Sequence, residues 1–225
     1  MITFKNRFSN GLIVLEIDEG EKVPRGPGTY QGNPEKTFKG VRCGLSWPNP
    51  INPGGYFCLV AQESMSRITG EYPLWVIREF SSPMMITLFE KMFDEMGIFG
   101  CFEIFTDLSS RFATYIHALD SYKRSKRELQ PAQIKPAPYS ESFLHGFDMI
   151  AKWIKVIKGL TIPKDFIIRS QLREIREADL KGEPQEKFYA MNALRYVLAA
   201  FETSAIPEST KDRVVEHGLP PGAWN

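Results

Sequence analysis

This chain of 225 residues has little of what marks secreted, membrane-spanning or disulfide-rich proteins. Its three cysteines, Cys43, Cys58 and Cys101, are odd in number and far apart in apolar segments, so we expect buried thiols rather than a disulfide framework or a zinc site. No secretory leader pattern and no run of about 18 apolar residues is visible. We therefore expect neither secretion nor a membrane span, and a cytoplasmic location.

Net charge is also nearly absent. Lys and Arg number 28 against 27 for Asp and Glu, which leaves +1, so the whole chain has no electrostatic attraction to nucleic acid or membrane. A polyanion site would have to be a local patch. The densest candidate is the cationic cluster, which we define as Lys123, Arg124, Lys126 and Arg127. Such a cluster is either a solvated helix face or a set of phosphate contacts, and both interpretations stay open.

Composition and turn residues suggest one folded domain between two looser ends. A hydrophobic content of 43% and a charged content of 24% are ordinary for a globular protein. Residues 1–36 are rich in Pro and Gly, and we interpret them as an N-terminal arm or linker. Residues 37–204 are expected to form an α/β domain, and residues 205–225 a C-terminal tail.

The first half of the domain has a distinctive order of predicted elements. Three apolar, β-rich runs separated by turn residues predict three antiparallel strands, at 37–47, 55–62 and 74–80. Apolar residues at three- and four-residue spacing predict a helix over 83–96. A fourth strand, 101–106, follows and ends on Asp107.

The second half is predicted to be mainly helical. Helices are expected over 112–128, 141–158 and 186–202 from their apolar periodicity. Between the last two, Phe166, Ile167 and Ile168 form an apolar run after Pro163, which predicts a short strand within 162–170.

Two features carry a resemblance to a known family. One is the order of three strands, helix and strand with Asp107 at its exit. The other is the run Phe188-Tyr189-Ala190-Met191-Asn192-Ala193-Leu194-Arg195-Tyr196 in the last helix. This run resembles the Asp-His-Ala-Met-Asp-Ala-Leu-Arg-Tyr motif of the nuclease domain of phage and herpesvirus terminase large subunits, with six of nine residues retained. The resemblance implies an RNase H-like mixed sheet with helices on both faces.

The resemblance also implies where the reactive acids should be. That family cuts DNA during genome packaging with two Mg²⁺ or Mn²⁺ ions held by converging carboxylates. The three acid positions map onto Ser46, Asp107 and Asn192, so only Asp107 is retained. Ser and Asn are neutral and cannot replace carboxylates that bridge divalent ions. We therefore expect a remnant site with at most a weak metal ligand in Asp107, and no cofactor unless the protein is active.

Three functions remain open at this point. The first is a catalytically degenerate terminase-nuclease-like domain that binds DNA, packaging ATPase or portal proteins, with the cationic cluster on nucleic acid. The second is an active nuclease whose acids have moved to Glu63, Glu79 or Glu103. The third is a protein-binding scaffold without nucleic acid. Two purely structural interpretations also remain open: Asp107 caps the next turn, and Asn192 is a buried hydrogen-bonding residue. No Gly-x-x-x-x-Gly-Lys loop of a packaging ATPase occurs in this sequence.

Overall fold

A computed structural model describes residues 3–4, 15–16, 38–63, 74–126, 132–137, 143–155, 159–175, 179 and 186–205. Within the predicted arm, β1 (Thr3–Phe4) pairs antiparallel with β2 (Leu15–Glu16). The rest of the arm and nearly all of the predicted tail lie outside the described residues. The division into arm, domain and tail therefore stays a prediction.

A six-stranded mixed sheet forms the centre of the domain, in the order β7-β6-β3-β4-β5-β8. Its strands are β3 (Phe38–Ser46), β4 (Gly55–Glu63), β5 (Leu74–Ser82), β6 (Glu103–Thr106), β7 (Gln133–Pro136) and β8 (Leu160–Thr161). The first three pair antiparallel. The shorter strands β6, β7 and β8 each add in parallel, β6 to β3, β7 to β6 and β8 to β5.

Within the described ranges, five α-helices cover both faces of this sheet: α1 (Met85–Phe99), α2 (Ala113–Ser125), α3 (Phe143–Lys155), α4 (Ile167–Glu174) and α5 (Tyr189–Ala205). Alternate residues of β3 point to opposite faces, so Cys43 and Leu45 join the core under α1 and α2. The second core lies between the sheet and α3, α4 and α5. This confirms the predicted α/β class, with three antiparallel strands followed by parallel ones, and it is consistent with an RNase H-like fold. In the described parts of the chain, no helix combines the length and apolar character needed to cross a membrane.

Some predicted elements differ from those observed. The strand predicted within 162–170 is wrong, because Ile167 begins α4 and only Leu160–Thr161 forms a strand there. The apolar residues follow helical spacing, with Ile168, Leu172 and Ile175 all buried. Strand β7 was not predicted, because Pro136 argues against a strand except at a sheet edge, and β7 is an edge strand.

Candidate functional site

The carboxyl ends of β3 and β6 bring Ser46 and Asp107 to the same edge of the sheet. Leu45 of β3 pairs with Thr106 of β6 in the parallel register. The residues that follow them, Ser46 and Asp107, therefore lie side by side. Two buried hydrogen bonds fix this edge: Thr106 Oγ1 donates to the Leu45 carbonyl (2.8 Å) and Trp47 Nε1 donates to the Asp107 carbonyl (2.8 Å). Both Ser46 and Asp107 are buried. Two of the three mapped acid positions are therefore neighbours.

Helix α5 brings the third mapped position to the same face of the sheet. It packs so closely on β3 that a Cβ added at Gly44 would lie 2.0 Å from the Ala193 carbonyl oxygen. Ser46 is two residues beyond Gly44 and so faces the same side, toward α5. Asn192 precedes Ala193 on that helix and is also buried. The close approach explains why glycine stands before Leu45 in β3.

The retained acid, Asp107, already has partners for both carboxylate oxygens. Its Oδ1 accepts a hydrogen bond from the Ser109 backbone N–H (2.8 Å), which is the local turn cap that the sequence left open. Its Oδ2 accepts one from Arg111 Nη2 at 3.2 Å, in an ion pair four residues apart. The Asp107 side chain is only 8% exposed, whereas that of Arg111 is 51% exposed. The acid is thus neutralised from the solvent side.

The guanidinium of Arg195, on α5, also interacts with the charge of Asp107. Arg195 is fully buried, donates through Nε to Asn192 Oδ1 (2.9 Å) and lies over the Tyr196 ring at 4.7 Å. Burial lowers the pKa of Arg195, while the Tyr196 hydroxyl, which accepts a hydrogen bond from Nη2, and then the charge of Asp107 act in the opposite direction. The charge of Asp107 therefore offsets part of the positive charge of Arg195 as well as that of Arg111. The alternative that Asn192 is a buried hydrogen-bonding residue describes its position well.

These residues do not fit a pair of divalent ions. The donor set is one carboxylate, one Ser hydroxyl and one amide whose oxygen already accepts from Arg195. Mg²⁺ and Mn²⁺ need several oxygen ligands whose negative charge offsets that of the ion. Here the single negative charge, that of Asp107, is already opposed by the guanidiniums of Arg111 and Arg195. Across the residues that the structure describes, no group of three or more His, Cys, Asp or Glu side chains could hold a metal ion.

The acids considered as relocated metal ligands have other partners. Glu79 accepts from Tyr56 Oη (2.6 Å) and from the backbone N–H of Ile167 (2.6 Å), so it caps the start of α4. Burial raises the pKa of Glu79, although these hydrogen bonds counteract part of the rise. The side chain of Glu63 lies outside the described residues.

Glu103 is engaged at the opposite end of β6 from Asp107. It forms ion pairs with Arg42 (3.0 Å) and with Lys135. Burial would raise the pKa of Glu103, but the hydrogen bond and charge of Lys135, together with Arg42, lower it overall. Neither Glu79 nor Glu103 is therefore placed to complete a metal site with Asp107.

The described residues of the cationic cluster, Lys123, Arg124 and Lys126, lie far from Asp107. Helix α2 runs back from the carboxyl end of β6, and Lys123 Nζ near its end donates to the carbonyl of Ala132, just before β7. A helix of this length spans roughly 20 Å, so Lys123, Arg124 and Lys126 lie at the amino ends of β6 and β7. Arg124 and Lys126 are exposed, and Arg127 lies outside the described residues. The sequence had suggested that the cationic cluster lies near Asp107, because the cluster follows the strand that ends on Asp107 closely along the chain.

A groove beside Asp107 was not predicted from the sequence. We call it the proline–aromatic groove; it measures about 490 Å³ and is lined by Pro48, Pro50, Pro53, Arg111, Phe112 and Tyr115. Glu186 also lines it, and Asn49 Nδ2 donates to the Glu186 carbonyl (3.1 Å). The signals in the sequence were the proline-rich loop that begins two residues after Ser46 and an Arg four residues after Asp107.

Known proteins resemble this chain in their structure rather than in their sequence. No family profile and no curated protein matches the sequence. Among solved structures, the chain is similar to the large terminase nuclease from thermophilic phage G20c with bound zinc, at 15% identity and a TM-score of 0.42. This match covers 77% of this chain and 91% of the other. It is also similar to the same nuclease with bound magnesium, at 13% identity and a TM-score of 0.41, covering 77% and 90%.

Proposed function

We propose that this domain is a metal-independent, non-cleaving relative of terminase nucleases that binds nucleic acid. The order of the strands and the Ala190–Tyr196 run support the proposal, because both resemble that family. The single observation that carries the loss of cleavage is the pairing of Asp107 with Arg111. A catalytic cation would have to displace Arg111 from Asp107 before it could bind there.

The charge of the site supports the same conclusion. A terminase-type site with three carboxylates carries three negative charges before metal binds. Here Ser46 and Asn192 contribute none, and Asp107 contributes one against two guanidiniums, those of Arg111 and Arg195. The site therefore carries a small positive charge. It repels Mg²⁺ or Mn²⁺ and attracts an anion such as a phosphate group.

Two kinds of partner follow from this proposal. DNA, or another nucleic acid, is the primary partner, and the cationic cluster provides phosphate contacts through the exposed Arg124 and Lys126. A role in DNA packaging would add the packaging ATPase or a portal protein as partners. A protein-binding scaffold remains the alternative if nucleic acid does not bind.

The experiment measures metal binding, cleavage and nucleic-acid binding separately. We expect no Mn²⁺ binding in titration calorimetry and no cleavage of plasmid DNA with Mg²⁺ or Mn²⁺. We also expect oligonucleotide binding by fluorescence anisotropy that is unchanged by EDTA. Plasmid cleavage that disappears in a Glu79→Ala variant would overturn the proposal in favour of relocated acids. Absence of any oligonucleotide binding at low salt would favour the protein scaffold.

A further inference from the structure

The proline–aromatic groove combines a positive charge with aromatic surface at the edge where β3 and β6 end. Arg111 is half exposed and stacks on the Phe112 ring at 4.5 Å. Tyr115 stacks against Trp47, with ring centroids 6.0 Å apart and planes inclined by 13°. Phe112 and Tyr115 are themselves partly exposed. Such a combination of a cation with aromatic faces is typical of sites for unpaired bases.

The guanidinium of Arg111 has donors left for a ligand. Its hydrogen bond to Asp107 uses one N–H of Nη2, and a guanidinium has five N–H donors in a planar fork. The Arg111 side chain is 51% exposed, so a phosphate oxygen can reach the remaining donors while the bond to Asp107 holds the guanidinium in place. Asp107 would then act as a positioning residue for Arg111 rather than as a metal ligand.

The size and charge of the groove limit what it can hold. A volume of about 490 Å³ falls in the range of pockets for single small ligands. Arg111 and Glu186 are the charged residues that line it, one of each sign. The groove therefore suits one phosphate and not the regular row of phosphates along a duplex. Its prolines provide a rigid apolar wall against which a base can pack.

We propose that the proline–aromatic groove binds one nucleotide unit of a single-stranded nucleic acid, with the phosphate on Arg111 and the base against Phe112, Tyr115 and the prolines. This inference rests on the proposed function and refines it by naming the ligand and its site. It adds Arg111 as the residue that recognises the single strand, beside the general phosphate contacts of the cationic cluster.

The test compares two variants, Arg111→Ala and Arg124→Ala. Both arginines are exposed; Arg111 precedes α2 and Arg124 lies near the end of α2. The probe is a short fluorescein-labelled single strand, measured by anisotropy over a range of salt concentrations. Arg111→Ala should weaken binding about tenfold, as expected for one charge-assisted hydrogen-bonding group. It should also reduce the slope of log K against log salt by about 0.7, the value for one phosphate on a single strand. Arg124→Ala removes a phosphate contact of the cationic cluster and should weaken single strand and duplex by similar factors, whereas the loss in Arg111→Ala should be larger for the single strand.

A second variant and a second ligand test the role of stacking. Tyr115→Leu keeps an apolar side chain against Trp47 but removes the ring, and it should weaken single-strand binding by about fivefold or more. A duplex of the same length should bind more weakly than the single strand. Thermal unfolding by circular dichroism shows that each variant is folded.

The outcomes separate this inference from the proposed function. If Arg124→Ala lowers affinity and salt slope while Arg111→Ala does neither, the groove assignment is overturned and nucleic-acid binding stands. Tighter binding of duplex than of single strand overturns the groove assignment in the same way. If the wild-type protein binds neither ligand at low salt, both the groove assignment and the proposed function are overturned.

Discussion

The substitution Gly44→Ala tests the contact that brings α5 to the sheet. A real Cβ essentially never approaches another heavy atom within 3.0 Å, yet here it would lie 2.0 Å from the Ala193 carbonyl oxygen and 2.9 Å from its carbonyl carbon. Backbone atoms cannot rotate away, so α5 and β3 must separate by about 1 Å. Over-packing in a core costs roughly 1–3 kcal/mol when side chains can adjust. We expect a loss of about 3 kcal/mol or more, because here the backbone must move.

The free energy of unfolding is measured by urea denaturation, with Gly97→Ala as the matched control. Gly97 lies in α1 and is exposed, and a Cβ added there would meet no heavy atom within 4 Å. This control should gain roughly 0.5–1 kcal/mol from helix propensity. If Gly44→Ala lowers the free energy of unfolding by less than about 1 kcal/mol, the close contact between Gly44 and Ala193 is refuted. The placement of Asn192 over the Ser46 side of the sheet would then be wrong as well.

Two further predictions concern buried groups next to α5 and α4. Glu79→Gln should make stability depend less on pH. Burial raises the pKa of Glu79 above its ordinary 4.5, so the folded state binds the proton more tightly and loses stability as pH rises from 4.5 toward neutral. Urea denaturation at pH 4.5 and at neutral pH measures the free energy of unfolding of both proteins. A difference between the two pH values that is the same in Glu79→Gln as in the wild type would contradict the prediction. Gly146→Ala would place a Cβ 2.5 Å from Arg195 Cδ, and it should cost roughly 1–3 kcal/mol because that side chain is buried. An unchanged melting temperature would show that α3 does not press on Arg195.

The sequence predicted the order of the strands and most helices because those features are local. The alternation and turn residues of β3, β4 and β5 and the apolar spacing of α1 are visible within short windows. The position of α4 is not local. Its start is capped by Glu79, which lies 88 residues earlier in the chain from Ile167, and no window of sequence contains both. The apolar run from Phe166 therefore looked like a strand.

The candidate site was predictable in position but not in chemistry. The family resemblance pointed to Ser46, Asp107 and Asn192, and the structure brings these positions to one face of the sheet. The resemblance did not indicate that Arg111 would form an ion pair with Asp107. Residues four apart on a helical turn often form such pairs. Nor did it show that the groove, rather than the cationic cluster, adjoins the site. Both facts depend on how α2 is directed after β6.

Restoring the two lost acids should therefore not be enough to restore a metal site. An Asp at position 192 would face the Nε of Arg195, which now donates to the Asn192 oxygen at 2.9 Å, and Asp107 would still be paired with Arg111. We expect the double variant Ser46→Asp, Asn192→Asp to bind Mn²⁺ weakly. Adding Arg111→Ala should strengthen binding at least tenfold, because it removes one positive charge beside the carboxylates. Titration calorimetry with Mn²⁺ measures both. Equal affinities with and without Arg111 would show that its ion pair does not keep cations out, and the charge argument for a metal-independent site would fail.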